Sequence, residues 1–128
     1  MNVLLDTHCW LWWFISPEKL SDRAKSIIQN NQNTILFSAV SSWEIAIKVG
    51  LQRLKLPEPP FQYVTKRLEN QNMTSFAIQH IHALRVAELP HHHRDPFDRL
   101  LIAQAQVEKL PILTSDPQFQ KYDIEVIL

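Results

Sequence analysis

Glycine occurs once in this chain, at Gly50, and cysteine once, at Cys9. The first scarcity excludes a Gly-rich loop of the kind that cradles nucleotide phosphates, because such loops need several residues that let backbone amides approach the anion. The second excludes an internal disulfide framework and a thiolate zinc site, and leaves core packing as the role of Cys9. Long apolar runs are missing as well. The longest, Cys9 to Ile15, falls well short of the roughly 20 residues that cross a bilayer. The N-terminus lacks the basic stretch and small-residue cleavage site of a signal peptide, so a cytoplasmic location is expected. No charge of one sign predominates: 13 basic residues balance 13 acidic ones. That balance argues against a protein held on nucleic acid by a bulk positive field. It leaves room for a local rim around a cation-filled site, with Lys48, Arg53, Lys55, Arg94 and Arg99 as candidates, although Lys55 reads as ordinary surface charge.

What is present is enough apolar matter for a core. At 128 residues and 45% hydrophobic composition, residues 1–128 are expected to form one domain. Strand-like runs at Asn2–Leu5, Thr34–Phe37, Met73–Phe76, Pro111–Thr114 and Glu125–Leu128 alternate with helical patterns. The first helix, Thr7 to Ile15, places Trp10, Trp13 and Phe14 on one face. The second starts near Ser21 with Leu20, Ala24, Ile27 and Ile28 as its apolar stripe. The third carries Trp43, Ile47 and Leu51 on one side and is expected to end at Gly50 in the left-handed C′ position. A stiff connector, Leu56 to Pro60, precedes a helix from Phe61 to Asn70 that uses Phe61, Val64 and Leu68. Ile78, Ile81 and Leu84 mark another amphipathic helix, His91-His92-His93-Arg94 reads as a solvated loop, and Asp95 to Lys109 is the clearest helix. Alternating strands and helices imply an α/β fold with a parallel sheet covered on both faces.

Four acids stand just after these apolar runs or one helical turn beyond them: Asp6, Glu44, Asp98 and Asp116. Each has a local reading as a helix start. Ser41-x-x-Glu44 is a capping box, Asp95-Pro96 an N-cap with Asp98 at N3, Asp116-Pro117 a second N-cap with proline, and Asp6 a plain N-cap. Together they have another reading. In parallel sheets the ligand crevice lies outside the carboxyl ends of the strands, so acids remote in sequence gather there. A cluster of hard oxygen ligands suits Mg²⁺ or Mn²⁺, and those ions suit phosphodiester hydrolysis. The residues point to a metal-dependent nuclease.

The segments LLDTHCWLWW, SAVSSWEIAIK, HRDPFDRLLIAQA and ILTSDPQFQKY, in that order, closely resemble the PIN domain, and within it the VapC-like toxin ribonucleases of toxin-antitoxin pairs. The resemblance implies a three-layer α/β/α sandwich with a short central parallel sheet, Mg²⁺- or Mn²⁺-dependent cleavage of RNA, a homodimer, and inhibition by a small VapB-like antitoxin. It places the family's acidic quartet on Asp6, Glu44, Asp98 and Asp116. Asp98 is preferred to Asp95 for its spacing to Ala103-Gln104-Ala105, which leaves Asp95 as a cap or an outer partner. Thr7 and Ser115 are candidates for orienting ligands or waters, against ordinary helix-start hydrogen bonds. Arg99 is a candidate phosphate contact, against a helix-surface salt bridge.

Three other readings compete. A PIN-like module that binds RNA or antitoxin without turnover would carry the same acids. An aspartyl-phosphate enzyme or receiver domain also places acids at strand ends, but LLDTH lacks the Asp-x-Asp of many phosphatases of that class. A purely structural protein accounts least well for four motifs together. Trp10, Trp12 and Trp13 cannot all face one core, since residues two apart on a helix point in different directions; Trp12 is expected outward, as an anchor for an antitoxin tail or a homodimer contact.

Overall fold

The computed structural model describes residues 1–70 and 73–128. Strand β1 (Asn2–Leu5) runs into helix α1 (Thr7–Ile15), and a 3-10 turn at Pro17–Lys19 leads to α2 (Asp22–Gln29). β2 (Thr34–Ser38) passes directly into α3 (Ala39–Gly50), followed by α4 (Pro60–Asn70), β3 (Thr74–Phe76) and the short α5 (His80–Arg85). Long helix α6 (Pro96–Glu108) then precedes β4 (Ile112–Leu113), a 3-10 turn at Pro117–Lys121 and β5 (Val126–Ile127).

All strand pairs are parallel, in the order β3-β2-β1-β4-β5. Side chains alternate faces along each strand, and both faces are apolar. Val3, Leu5, Ile35, Phe37 and Leu113 join Trp10, Tyr63 and Ile27 on one side of the sheet. Leu4, Leu36 and Ile112 join Leu101, Ile102, Phe119 and Tyr122 on the other. Each large side chain withdrawn from water in this way contributes about 1.5–3 kcal/mol. Helices α1, α2 and α4 form one outer layer, and α6 with α5 packed on it forms the other.

Strand order decides where a site can form. The chain leaves β1 towards β2 and β3 on one side, then crosses back to β4 and β5 on the other. The carboxyl ends of β1 and β4 therefore flank a topological switch point, where crossover helices diverge and leave a crevice.

The expected faces of α3 and α5 turn out reversed, and that of α4 holds in part. Trp43, Ile47 and Leu51 are 49%, 42% and 58% exposed, because α3 buries Val40, Ser41, Glu44 and Ile45 instead. On α4, Val64 is buried and Leu68 packs against the core as expected, while Phe61 turns outward and Tyr63 is taken in. On α5, Ile81 and Leu84 face out and His82 is taken in, its Nδ1 accepting the Gln79 N–H at 3.0 Å. α3 ends at Gly50 as expected, but the glycine is not its left-handed residue. The helix closes in a Schellman arrangement with Arg53 N–H on Lys48 O (2.8 Å) and Gln52 N–H on Val49 O (3.0 Å). The left-handed residue is Gln52 (φ 59°), two positions past Gly50, whose φ is not positive. The Ser41-x-x-Glu44 capping box is likewise absent, since Ser38 is the N-cap and accepts Val40 N–H at 3.0 Å, which places Ser41 and Glu44 inside the helix.

Gln104 of α6, wholly buried, binds three elements together. Its Oε1 accepts the Ser38 hydroxyl at 2.6 Å and its Nε2 donates to Ala77 O at 3.1 Å. The corner from β2 into α3, the exit of β3 and α6 are thereby tied at one point. Gln104→Ala leaves the buried Ser38 hydroxyl without an acceptor and removes the bond to Ala77 O, and is expected to cost about 1–3 kcal/mol in denaturant unfolding. A loss below about 0.5 kcal/mol would mean that water replaces both bonds.

Candidate metal centre

Asp6 follows β1 directly, its N–H still bound to Leu113 O of β4 at 3.0 Å. It occupies the N-cap position of α1 but makes no capping bond with its side chain. Its carboxylate, 2% exposed, accepts the Thr114 hydroxyl on Oδ2 at 2.8 Å, while Oδ1 has no hydrogen-bond partner. Thr114 Oγ1 also accepts the Asp116 N–H at 3.1 Å, so one hydroxyl holds both strand ends in register. The sequence offers its neighbour Ser115 as a candidate for orienting ligands or waters. Ser115 is exposed and meets the Cys9 thiol, whereas Thr114, the residue after β4, is buried in phase with Ile112. Burial and the nearby Asp6 push the Cys9 thiol up to about 12, as suits a packing residue.

Glu44 projects from α3 with 1% exposure; Lys48 pairs with its Oε2, and Oε1 is left without a partner. Thr7 donates to Ser41 Oγ at 2.7 Å, pinning the start of α1 to α3 and bringing Glu44 towards Asp6. Asp98 lies in the first turn of α6, whose N-cap is Asp95, with Oδ1 accepting Phe97 N–H (2.9 Å) and Asp98 N–H (3.1 Å). Asp116 caps the turn after β4 through Gln118 N–H at 2.9 Å. Asp95 and Asp116 thus cap as their sequences suggest, and Asp6 and Glu44 do not.

The electrostatics tie the acids together. Burial first, then the charges of Asp6, Asp95, Glu44 and Asp116, push the Asp98 carboxyl from 3.8 up to about 8. Burial chiefly, with Glu44 adding, also raises Asp6 against the opposing Thr114 hydrogen bond and His8. Carboxylates repel one another without a counter-charge, and among the described residues no three His, Cys, Asp or Glu side chains stand at cation-holding distance. The donor set nevertheless fits a hard divalent cation. It consists of oxygens, two of them are buried and unpartnered on Asp6 and Glu44, and a third group, Asp98, is held protonated for want of positive charge.

His93, expected in a solvated loop, is only partly exposed and meets Asp98, with Nε2 3.5 Å from Oδ2. Tyr122 settles its tautomer. The Tyr122 hydroxyl accepts the His93 backbone N–H (3.2 Å) and an Arg99 N–H (3.4 Å), so its single proton goes to His93 Nδ1 at 2.8 Å. The imidazole proton therefore sits on Nε2, facing Asp98. Burial lowers the His93 pKa against the pull of Asp116 and Asp95, which agrees with a neutral ring. The signal lay in chain order, two residues before Asp95, but a run of three histidines does not say which one turns inward.

Arg99, a candidate phosphate contact or surface salt bridge, is turned inward. It is 7% exposed, and its guanidinium donates to the carbonyls of Pro90 (2.8 Å), Val86 (3.3 Å) and Leu89 (3.4 Å), which fastens the loop before α6. Of the other cations considered, Lys48, Arg53 and Lys55 line a cleft beside Glu44. Arg94 is exposed and outside that lining.

Two measurements test this site. Asp98 has a folded pKa above its unfolded one, so the native state keeps a proton that the unfolded chain releases. Its contribution is full below about pH 4 and is lost as pH rises towards about 8. Without divalent cations, Asp98→Asn is therefore expected to gain stability relative to wild type as pH goes from about 5 to about 8; a constant gap would refute the raised pKa. Nitrogen NMR of His93 is expected to show the Nε2–H tautomer at neutral pH and to lose that preference in Tyr122→Phe. An Nδ1–H ring in the wild type would overturn the assignment.

The PIN domain profile matches residues 3–125 of the chain. Ribonuclease VapC22 of Mycobacterium tuberculosis is 27% identical over 121 residues, covering 94% of this chain and 92% of that protein. Ribonuclease VapC16 of the same organism is 38% identical over 61 residues, covering 48% of this chain, and the match spans only 43% of VapC16. Among solved structures, VapBC2 of Rickettsia felis bound to a DNA fragment from its promoter superposes with a TM-score of 0.71 at 16% identity, covering 99% of this chain and 98% of that one. At that identity the likeness speaks for the fold.

Proposed function

The chain belongs to the PIN domain family, and from that premise we propose that residues 1–128 act as one endoribonuclease domain. It hydrolyses RNA with Mg²⁺ or Mn²⁺ held by Asp6, Glu44, Asp98 and Asp116, as the toxin of a toxin-antitoxin pair. The observation that carries this reading is Asp6, a buried carboxylate at an N-cap that does not cap and keeps one oxygen unpartnered. A residue present only to start a helix would spend that oxygen on the free amides of α1.

A divalent ion bound there supplies charge that offsets the phosphoryl oxygens and lowers the pKa of a water. The protein's own groups prepare for it. Thr114 fixes Asp6 through Oδ2 and leaves Oδ1 open, while Lys48 neutralises one oxygen of Glu44 and leaves the other. Asp98 is poised to release its proton when positive charge arrives, and His93 Nε2–H then stands beside the carboxylate that forms. Cys9, with its thiol held protonated, offers no nucleophile, so attack falls to water.

The proposed partners are RNA, a small VapB-like antitoxin and a second copy of the chain. The VapC relatives and the VapBC2 complex support the antitoxin. The exposed Trp43, Ile47 and Leu51 stripe supports a homodimer, since contiguous apolar surface favours association. Among the described residues no helix is long and apolar enough to cross a membrane, and a cytoplasmic location belongs to the same proposal.

Mn²⁺ at a hundredfold excess over Kd is expected to stabilise the wild type by about 2.7 kcal/mol. Asp6→Asn should lose both that gain and RNA cleavage while its metal-free stability equals or exceeds wild type, because one like charge is removed at constant volume. Undiminished cleavage by purified Asp6→Asn sinks the assignment.

A further inference from the structure

A cleft of about 400 Å³ opens between α1 and the residues that follow α3. Thr7 and Glu44, next to and within the acid set, form part of its wall. Four cations line it, Lys19, Lys48, Arg53 and Lys55, with Glu44 as the one acid in the lining. Lys48 is spent on Glu44, and among the described residues Lys19, Arg53 and Lys55 form no ion pair. In a chain with no net charge, that concentration of uncompensated positive charge is a local feature. Trp12 is the aromatic wall, with the Lys19 ammonium 5.8 Å from its ring centroid and the exposed His8 ring 6.1 Å away.

We propose that this cleft is a subsite for an unpaired nucleotide flanking the scissile bond, with its base on the Trp12 indole and its phosphates on Lys19, Arg53 and Lys55. The inference rests on the ribonuclease reading above and adds to it the residues that take the nucleotide beside the scissile bond. An indole with Lys19 over its ring, and Arg53 and Lys55 in the same lining, matches what a nucleotide presents at once, a flat π face and an anionic link. A base locked in a duplex cannot present that face, so paired RNA is a poor occupant. Continuity with the acid set favours RNA over an acidic peptide. The cleft runs on to Glu44, where a cation-loaded site takes the next phosphodiester, whereas carboxylates in the same path gain nothing beyond the cleft and approach Glu44, Asp6 and Asp98.

The test uses the full chain carrying Asp6→Asn, so that RNA survives, and a fluorophore-labelled single-stranded RNA of mixed sequence. Trp12→Ala is expected to weaken binding roughly ten-fold or more, with Trp12→Phe retaining most of the affinity. Trp12 packs partly against the core, so thermal melting accompanies that variant, and the exposed Arg53→Ala and Lys55→Ala stand as independent probes. Each of those two is expected to weaken binding and to flatten the slope of log affinity against log salt by about 0.7. The same RNA annealed to its complement should bind more weakly and ignore Trp12. RNA affinity indifferent to Trp12, Arg53 and Lys55 overturns the subsite, and if polyglutamate then binds in a Trp12-dependent way, the cleft belongs to an acidic peptide. Cleavage by protein with Asp6 intact separates the two readings. RNA cut normally by the Trp12, Arg53 and Lys55 variants removes the subsite and leaves the nuclease, whereas cleft-dependent RNA binding with no cleavage under Mg²⁺ or Mn²⁺ removes the nuclease and leaves the subsite.

Discussion

Carboxylates gathered out of water at the ends of two adjacent parallel strands set the terms for the rest of this structure. Asp6 and Glu44 are almost fully buried and Asp98 nearly so. Burial disfavours each charge, and repulsion between neighbours is strongest where solvent screens least. The fold meets this in three ways at once. Asp98 is held protonated, Lys48 is set on Glu44, and the Thr114 hydroxyl is set on Asp6. Each device uses part of a carboxylate and leaves part open, so the cluster is tolerated without being cancelled.

The same constraint explains the unusual amphipathicity of α3. Its inner face carries Ser41 and Glu44 between Val40 and Ile45, and its outer face carries Trp43 and Ile47. A helix that only packed would turn its tryptophan inward and its glutamate out. Here the hydrogen bond from Thr7 to Ser41 and the buried Glu44 fix the rotation, and the apolar residues are left on the surface. Local patterning departs from the global arrangement at the candidate site, which is where such conflicts are expected to concentrate. The buried Gln104 and Arg99 serve the same end from the other layer, one fixing the start of α3 and the other the loop that brings His93 to Asp98.

What could be read before the fold was known follows a physical division. The strand runs, the α6 start at Asp95-Pro96 and the turn at Asp116-Pro117 are local features, governed by backbone propensity and side-chain-to-amide bonds a few residues long, and the structure has them in place. The Ser41 capping box and the left-handed C′ role of Gly50 are also local patterns, yet they failed. Ser38 offered an earlier cap, and the left-handed turn that closes α3 falls on Gln52, two residues after the helix ends at Gly50. Arg99 failed for another reason, since a cation beside an acid has the same sequence signature whether it meets solvent, a phosphate or three carbonyl groups.

The sequence by itself determined the alternation of buried strands with helices and the residue type that ends each strand, because periodicity and capping act over a few residues. Those two facts suffice for a parallel sheet with acids along one edge. Only the tertiary structure decided which acids meet, which oxygens stay open, and that Thr114 and His93 join them while Ser115 and Arg99 do not. Those outcomes depend on strand order 3-2-1-4-5, which sets Asp6 beside Thr114 across 108 residues. They depend equally on the rotation of α3 and α6 about their axes, which contacts distant in sequence determine and a one-dimensional pattern does not encode.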